Sequence, residues 1–300
     1  MYTELERRRL AEFVDRTDEL ERFCQMLESD EKHIMIVWGD PGMGKTSLRL
    51  RMVHECAQRK LRKAEVECGG TRTSGYLAIM RKIRDDVGLQ YFNPFSDYVN
   101  YLTDPNYQPK VSLNINVQGV KNVAVAHGAQ ISDSSVGDIA GIVVKDNMLV
   151  LPRADIAVPE EERMMRLTDR FIEGLGAALN EGKLVVFLDG LEKVAPNIEQ
   201  WLWQELLLAV REGRLTGIKF VLCAEAPPQL DRDWRIFVEE AELQPLAIEH
   251  IEAYLGKRGV ADTLCNGLAV YLLATTKGKI SLIAEGVDAF LAMQQKMAKR

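Results

Sequence analysis

Two short stretches of this chain carry side chains suited to phosphate chemistry. Gly39-Asp40-Pro41-Gly42-Met43-Gly44-Lys45-Thr46, followed by Ser47, fills every position of the pattern G-x-x-x-x-G-K-[ST]. Its glycines let backbone N–H groups turn inward around an anion, where a Cβ would crowd it. At this spacing Lys45 reaches β and γ phosphates and the Thr46 hydroxyl ligates Mg²⁺. The apolar run HIMIVW (33–38) precedes the loop and the helix-like SLRLRMVHECAQRK follows it. The loop therefore joins a buried strand to a helix N-terminus, which adds about half a positive charge facing the same anion.

The second stretch is LVVFLDGLEKV (184–194), a strand-like apolar run that ends on Asp189, with Glu192 three positions on. A phosphate-bound Mg²⁺ needs a second anchor, normally an acid at the end of a neighbouring buried strand. Asp189 fits that role through water, and Glu192 fits the polarisation of an attacking water. The candidate catalytic residues are thus Lys45, Asp189 and Glu192, the metal ligands Thr46 and Asp189, and the cofactors ATP or ADP with Mg²⁺. Motors, kinases, synthetases and switches all use such a loop, so the loop alone leaves the activity open.

These residues need a scaffold, and the hydrophobic pattern supplies one. Strands at 33–38, 64–68, 184–188, 217–223 and 240–244 alternate with helices at 45–59, 75–87, 162–179 and 198–212. The alternation predicts an α/β P-loop NTPase fold, a parallel sheet sandwiched by helices. Trp201 and Trp203 read as core and rim packing in the last of these helices. More than 100 residues separate the second strand from the acidic strand, too many for a plain crossover. Within them, NPFSDYVNYLTDPNYQP (93–109) is aromatic and punctuated by prolines. A β-branched region follows, in which Val120, Val123, Val125, Gly128 and Ile131 share their spacing with Ile139, Ile142, Val144, Asn147 and Val150. This predicts bent strands turning at Gly128 and Asn147, in a β-rich insertion over about 90–155. The insertion either docks on the body or on another chain, or is a self-contained decoration. The predicted organisation is an ATPase domain over 1–244 and a small helical lid over 245–300.

Bulk properties narrow the class. At 300 residues the chain can bury one large core, or one core with a satellite. No apolar run reaches the roughly 18 residues needed to span a bilayer, and MYTELERRRLAEF has no apolar signal core. The five cysteines are scattered, odd in number and never in CxxC spacing, which fits a reducing cytoplasm rather than disulfides or zinc. A net charge of −6 gives no global pull toward nucleic acid, and RKLRK (59–63) reads as a solvated helix end.

In this order, the motifs resemble the STAND branch of the AAA+ P-loop ATPases, the group with NACHT-type and NB-ARC-type switches. FVDRTDELERF (13–23) is similar to the family's F-V-G-R-x-x-E-L box, with Asp15 in place of glycine. The resemblance implies that Val14 and Arg16 lie beside the adenine. LVVFLDGLEKV resembles D-G-L-[DE]-E, with Lys193 in place of the final acid. AELQPLAIEHIEAYLGKRG (241–259) is similar to the start of the lid, whose proline, here Pro245, packs near the base. TTKGKISLIAEGVDAFL (275–291) resembles the end of the lid, with Ser281 where proline is usual. KFVLCAEAP (219–227) departs further, because Cys223, Ala224 and Glu225 stand where the family places a polar γ-phosphate sensor. Arg232 and Arg235 fall where AAA+ proteins carry an arginine finger, though they read more simply as surface residues near Trp234.

The resemblance implies a slowly hydrolysing switch that signals through protein partners supplying sensor or effector function, or through self-assembly, in bacterial defence or stress response. Two alternatives stay open. One is an active AAA+ ATPase that remodels or loads a macromolecule, with DNA among the candidates; the other is a scaffold that binds ATP without hydrolysing it.

Overall fold

The computed structural model describes residues 2–70, 73, 75–103, 143–145, 148–150 and 159–298. The chain divides into two compact units, one of residues 1–91 with 175–300 and the other of residues 92–174.

The larger unit is built on a five-stranded sheet of β1 (Ile34–Trp38), β2 (Arg62–Glu67), β5 (Leu184–Asp189), β6 (Ile218–Ala224) and β7 (Val238–Glu242). The strand order is β2-β5-β6-β1-β7 and every pairing is parallel. Parallel strands bury both faces, which is why IMIVW, LVVFLD and IKFVLCA read as continuous apolar runs. One face packs Phe23, Met35, Val37, Leu48, Phe187 and Val221 into a single core. The helices of this unit include α1 (Glu4–Ala11), α2 (Thr17–Glu28), α3 (Lys45–Gln58) and α4 (Tyr76–Val87). α7 (Pro196–Trp201) continues through a π turn at Leu202–Leu206 into α8 (Leu207–Arg211), and the short α9 (Arg232–Phe237) precedes β7. Trp201 is buried, whereas Trp203 on the π turn meets Trp234 edge to face at 5.1 Å. The helices of the predicted lid region are α10 (Ile248–Lys257), α11 (Asp262–Thr276) and α12 (Ile280–Ala298), packed around Ile251, Leu255, Leu272, Ile283 and Val287.

The smaller unit contains α5 (Asn93–Thr103), the antiparallel pair β3 (Val143–Lys145) and β4 (Met148–Val150), and most of α6 (Glu160–Leu179). Its Phe92 and Phe171 rings stack at 5.4 Å, and Phe95 meets Phe171 edge-on at 5.5 Å. The sequence pattern left 93–109 without a helix, yet residues 93–103 are helical. Pro94 lies in the first turn, where its missing N–H costs nothing. The spacing repeat and the turns at Gly128 and Asn147 lie outside the described residues, apart from the strand segments of β3 and β4.

Lys219 is the one cation inside an otherwise apolar strand. Only 1 % exposed, it donates to the carbonyls of Ser29 and Lys32, both at 2.6 Å. Ser29 is the C-cap of α2, so the ammonium satisfies carbonyls that the helix end leaves without partners. Burial lowers its pKa from 10.5 to about 8. Between about pH 8 and 10.5 the unfolded chain therefore holds the proton that the folded chain has lost, and this group's contribution to stability rises with pH. The thermal midpoint of the natural chain should gain on that of Lys219→Met as pH rises from 7.5 to 10. A gap that stays constant or moves the other way would contradict this.

Candidate functional site

In open parallel sheets, ligands bind beyond the carboxyl ends of the strands. Here β1 ends in the phosphate loop, β5 ends on Asp189, and β6 lies between them. Gly39, Gly42 and Gly44 all take positive φ, and Gly44 is the N-cap of α3. No side chain caps that helix end, so the first-turn N–H groups face the loop and can bind an anion. The Lys45 ammonium lies over the same loop, donating to Gly39 O and, at 3.1 Å, to Asp40 O.

The Thr46 hydroxyl donates to Asp189 Oδ2 at 3.0 Å. The predicted metal pair is therefore in contact, although its members come from opposite sides of β6. Among the described residues no cluster of three His, Cys, Asp or Glu could hold a metal unaided. One hydroxyl and one carboxylate suit a hard cation that takes its remaining oxygens from phosphate and water. When bound, such a cation neutralises charge on the phosphates. Glu192 lies on a 3₁₀ turn, Leu191–Lys193, just past β5, and lines the same cleft.

The cleft holds about 770 Å³, the size range of a small-molecule site. Its lining includes residues 41–47, Arg16, Val14, Asp189 and Glu192. Phe13, Val14, Leu246, Tyr254, Ile280 and Ala284 form an apolar part suited to a base, while the loop and Lys45 form the part suited to phosphates. Glu225 also lines it, one residue beyond the end of β6, and Cys223 pairs in register with Asp189 and Val37. Burial pushes the Cys223 thiol well above its usual pKa and the Cys68 thiol up to about 12, so neither acts as a thiolate.

The residues singled out by the family resemblance are placed as follows. Pro245 is exposed and lies against Gly278, and it is the buried Leu246 that lines the cleft. Arg16 is 6 % exposed, and its guanidinium is spent on Met43 O (3.2 Å) and Gln244 O (2.7 Å). It ties the phosphate loop to the chain entering the lid. Asp15 takes φ +61, a left-handed conformation that accounts for glycine in the motif it resembles. Arg232 and Arg235 are both exposed on α9.

Other contacts have no counterpart in the motif reading. Lys279 pairs with Asp40 at 3.0 Å, and the Ser281 N–H donates to Gly42 O at 3.1 Å, so the start of α12 is bonded to the phosphate loop. Polar α1 also lines the cleft through Glu6, Arg8 and Arg9, as does its C-cap Glu12. Arg8 pairs with Glu12 (2.7 Å) and Asp288 (3.1 Å), and Arg258 pairs with the same two carboxylates. Arg49, one helical turn after Lys45, donates to Asp189 Oδ2 at 3.2 Å and to Glu65 Oε2 at 2.7 Å. Its spacing of three from Thr46 and four from Lys45 was the available signal, since such residues share a helix face.

Residues 12–208 match the family model described as AAA ATPase domain. No curated protein matches the chain. Similar solved structures include Cdc6p from Pyrobaculum aerophilum, at 14% identity and a TM-score of 0.50, over 95% of this chain and 65% of that one. The Aeropyrum pernix Orc1 protein in complex with DNA gives 12% identity and a TM-score of 0.47, over 94% of this chain and 61% of that one. A STAND protein with a tetratricopeptide repeat sensor from Pyrococcus horikoshii gives 13% and 0.46, over 90% of this chain and 29% of that one. The chain thus spans less than two thirds of the length of each of these three, and the likeness to Cdc6p is one of fold. The family match covers well over half of the chain, which therefore belongs to the AAA ATPase domain family.

Proposed function

We propose that this AAA ATPase domain binds ATP with Mg²⁺, hydrolyses it slowly, and works as a STAND-like switch whose state is read by protein partners or by self-assembly. Bacterial defence or stress response is the setting proposed for it. The observation that carries the reading is the direct bonding of lid to phosphate loop, Ser281 N–H to Gly42 O and Lys279 to Asp40. A γ-phosphate bound in that loop bears on the lid, so the difference between ATP and ADP becomes a difference in lid position. Lys45 then turns its ammonium from Gly39 O and Asp40 O to the phosphates. Thr46 and Asp189 would hold the cation, which would neutralise charge on the phosphates, and Glu192 would polarise the attacking water.

Slow turnover follows from what ends β6. Cys223, Ala224 and Glu225 offer no cation to the γ-phosphate. P-loop sites with no arginine supplied in trans turn over at about 10⁻⁴ to 10⁻² s⁻¹. A timer tolerates such rates. The second reading, an assembling ATPase, draws on the exposure of Arg232 and Arg235 on α9, where a neighbouring copy could meet them.

ATP turnover measured over a range of protein concentrations, with Glu192→Gln alongside, tests the proposal. The switch reading expects a rate below about 10⁻² s⁻¹ that is flat with concentration and falls further in the variant. A rate near 1 s⁻¹ that rises with concentration would overturn it in favour of the assembling ATPase.

A further inference from the structure

Among the described residues Arg49 is the cation paired with the metal-anchoring acid, and the phosphate-loop pattern does not call for it. It lies on the second turn of α3, its side chain 15 % exposed, between two carboxylates. Its Nε donates to Asp189 Oδ2 and its Nη1 to Glu65 Oε2. Lys63 bonds the other oxygen of Glu65, which makes a row of alternating charge: Lys63, Glu65, Arg49, Asp189. Asp189 Oδ2 also accepts the Thr46 hydroxyl, so one oxygen serves both the predicted metal ligand and the guanidinium.

A cation held by Thr46 and Asp189 competes with Arg49 for the same negative charge. We propose that Arg49 is a positioning residue that sets the Mg²⁺ requirement of nucleotide binding: it offsets the charge of the Asp189 carboxylate, and Glu65 controls how strongly by sharing the guanidinium. The inference rests on the ATP–Mg²⁺ reading of the site. Two opposite effects follow. Removing the guanidinium leaves Asp189 with its full charge for the metal. Removing the charge of Glu65 leaves Asp189 as the only carboxylate bonded to Arg49 and strengthens its hold. Simple loss of packing would not move the two variants in opposite directions.

ATP affinity is measured calorimetrically at stepped Mg²⁺ concentrations from none upward, for the natural chain, Arg49→Met, Arg49→Lys and Glu65→Gln. The readout is the Mg²⁺ concentration at which the gain in ATP affinity is half complete. It should fall about tenfold in Arg49→Met, since an offsetting charge at this range is worth at least one such factor. It should stay near the natural value in Arg49→Lys, where the charge is kept, and rise severalfold in Glu65→Gln. Unchanged midpoints, or a shift of Arg49→Met and Glu65→Gln in the same direction, would overturn the role of Arg49 while leaving nucleotide binding intact. If the natural chain bound no ATP at any Mg²⁺ concentration, the nucleotide reading itself would fall.

Discussion

Lys45→Ala should bind ATP about 10- to 100-fold more weakly than the natural chain, with little change in thermal stability. A hydrogen bond to a charged group is worth about 1.5–3 kcal/mol, and each 1.4 kcal/mol is a factor of ten in affinity. Among the described residues the Lys45 ammonium has two loop carbonyls as partners, Gly39 O and Asp40 O, and its side chain is half-buried. Its removal opens no core cavity, so the fold keeps its stability while the anion site loses the ammonium that lies over the loop. Lys45→Arg should be nearly as weak, because a planar fork does not substitute for a compact ammonium inside a closed loop. Titration of each variant with ATP, together with a thermal melt, separates lost binding from lost fold. An affinity within twofold of the natural value would mean that the loop does not hold the phosphates.

Gly42→Val should damage both the loop and its contact with the lid. A Cβ at position 42 would lie 2.2 Å from Ser281 Oγ, and the backbone there has φ +85. Left-handed conformation costs a side-chain-bearing residue about 1–2 kcal/mol, more when it is β-branched. The clash adds to this by pushing the start of α12 away and breaking the Ser281 N–H to Gly42 O bond. We expect a loss of about 2–4 kcal/mol of stability, combining strain and overpacking. Ser281→Gly removes the clashing hydroxyl but not the strain, so the double variant should recover part of the loss, a coupling of about 0.5–3 kcal/mol in a mutant cycle. Strict additivity of the two changes would place the lid away from the loop.

Much of this site was legible in the sequence because its signals are local. The phosphate loop needs consecutive residues, and Asp189 ends a run apolar enough to be a buried strand. The parallel sheet then brings Thr46 and Asp189 together across the end of β6. The parallel sheet followed from the same alternation, with β7 beginning two residues earlier than the pattern suggested. Elements stabilised by charge escaped the hydrophobic pattern. α1, ELERRRLA, buries no residue, although Thr3 and Glu6 spell a capping box that the structure closes. Pro94 read as a breaker but falls where a helix tolerates it. Arg49, Lys219 and Lys279 were legible only as charges, because their partners, Asp189, Ser29 and Asp40, lie far away in sequence. A pattern can place a lysine on a strand or a helix, but it cannot name the carbonyl that the lysine will meet.

The central claim is that the γ-phosphate, through the loop, decides how the lid sits. Its most direct test is amide hydrogen exchange at residues 278–283 with ATP, with ADP and without nucleotide, since the Ser281 amide is itself the lid's bond to Gly42. The account predicts different protection in the ATP and ADP states, a difference that Lys45→Ala abolishes. Equal protection with ATP and ADP, at concentrations that saturate the site, would contradict it and leave a nucleotide-binding domain whose lid does not respond to the γ-phosphate.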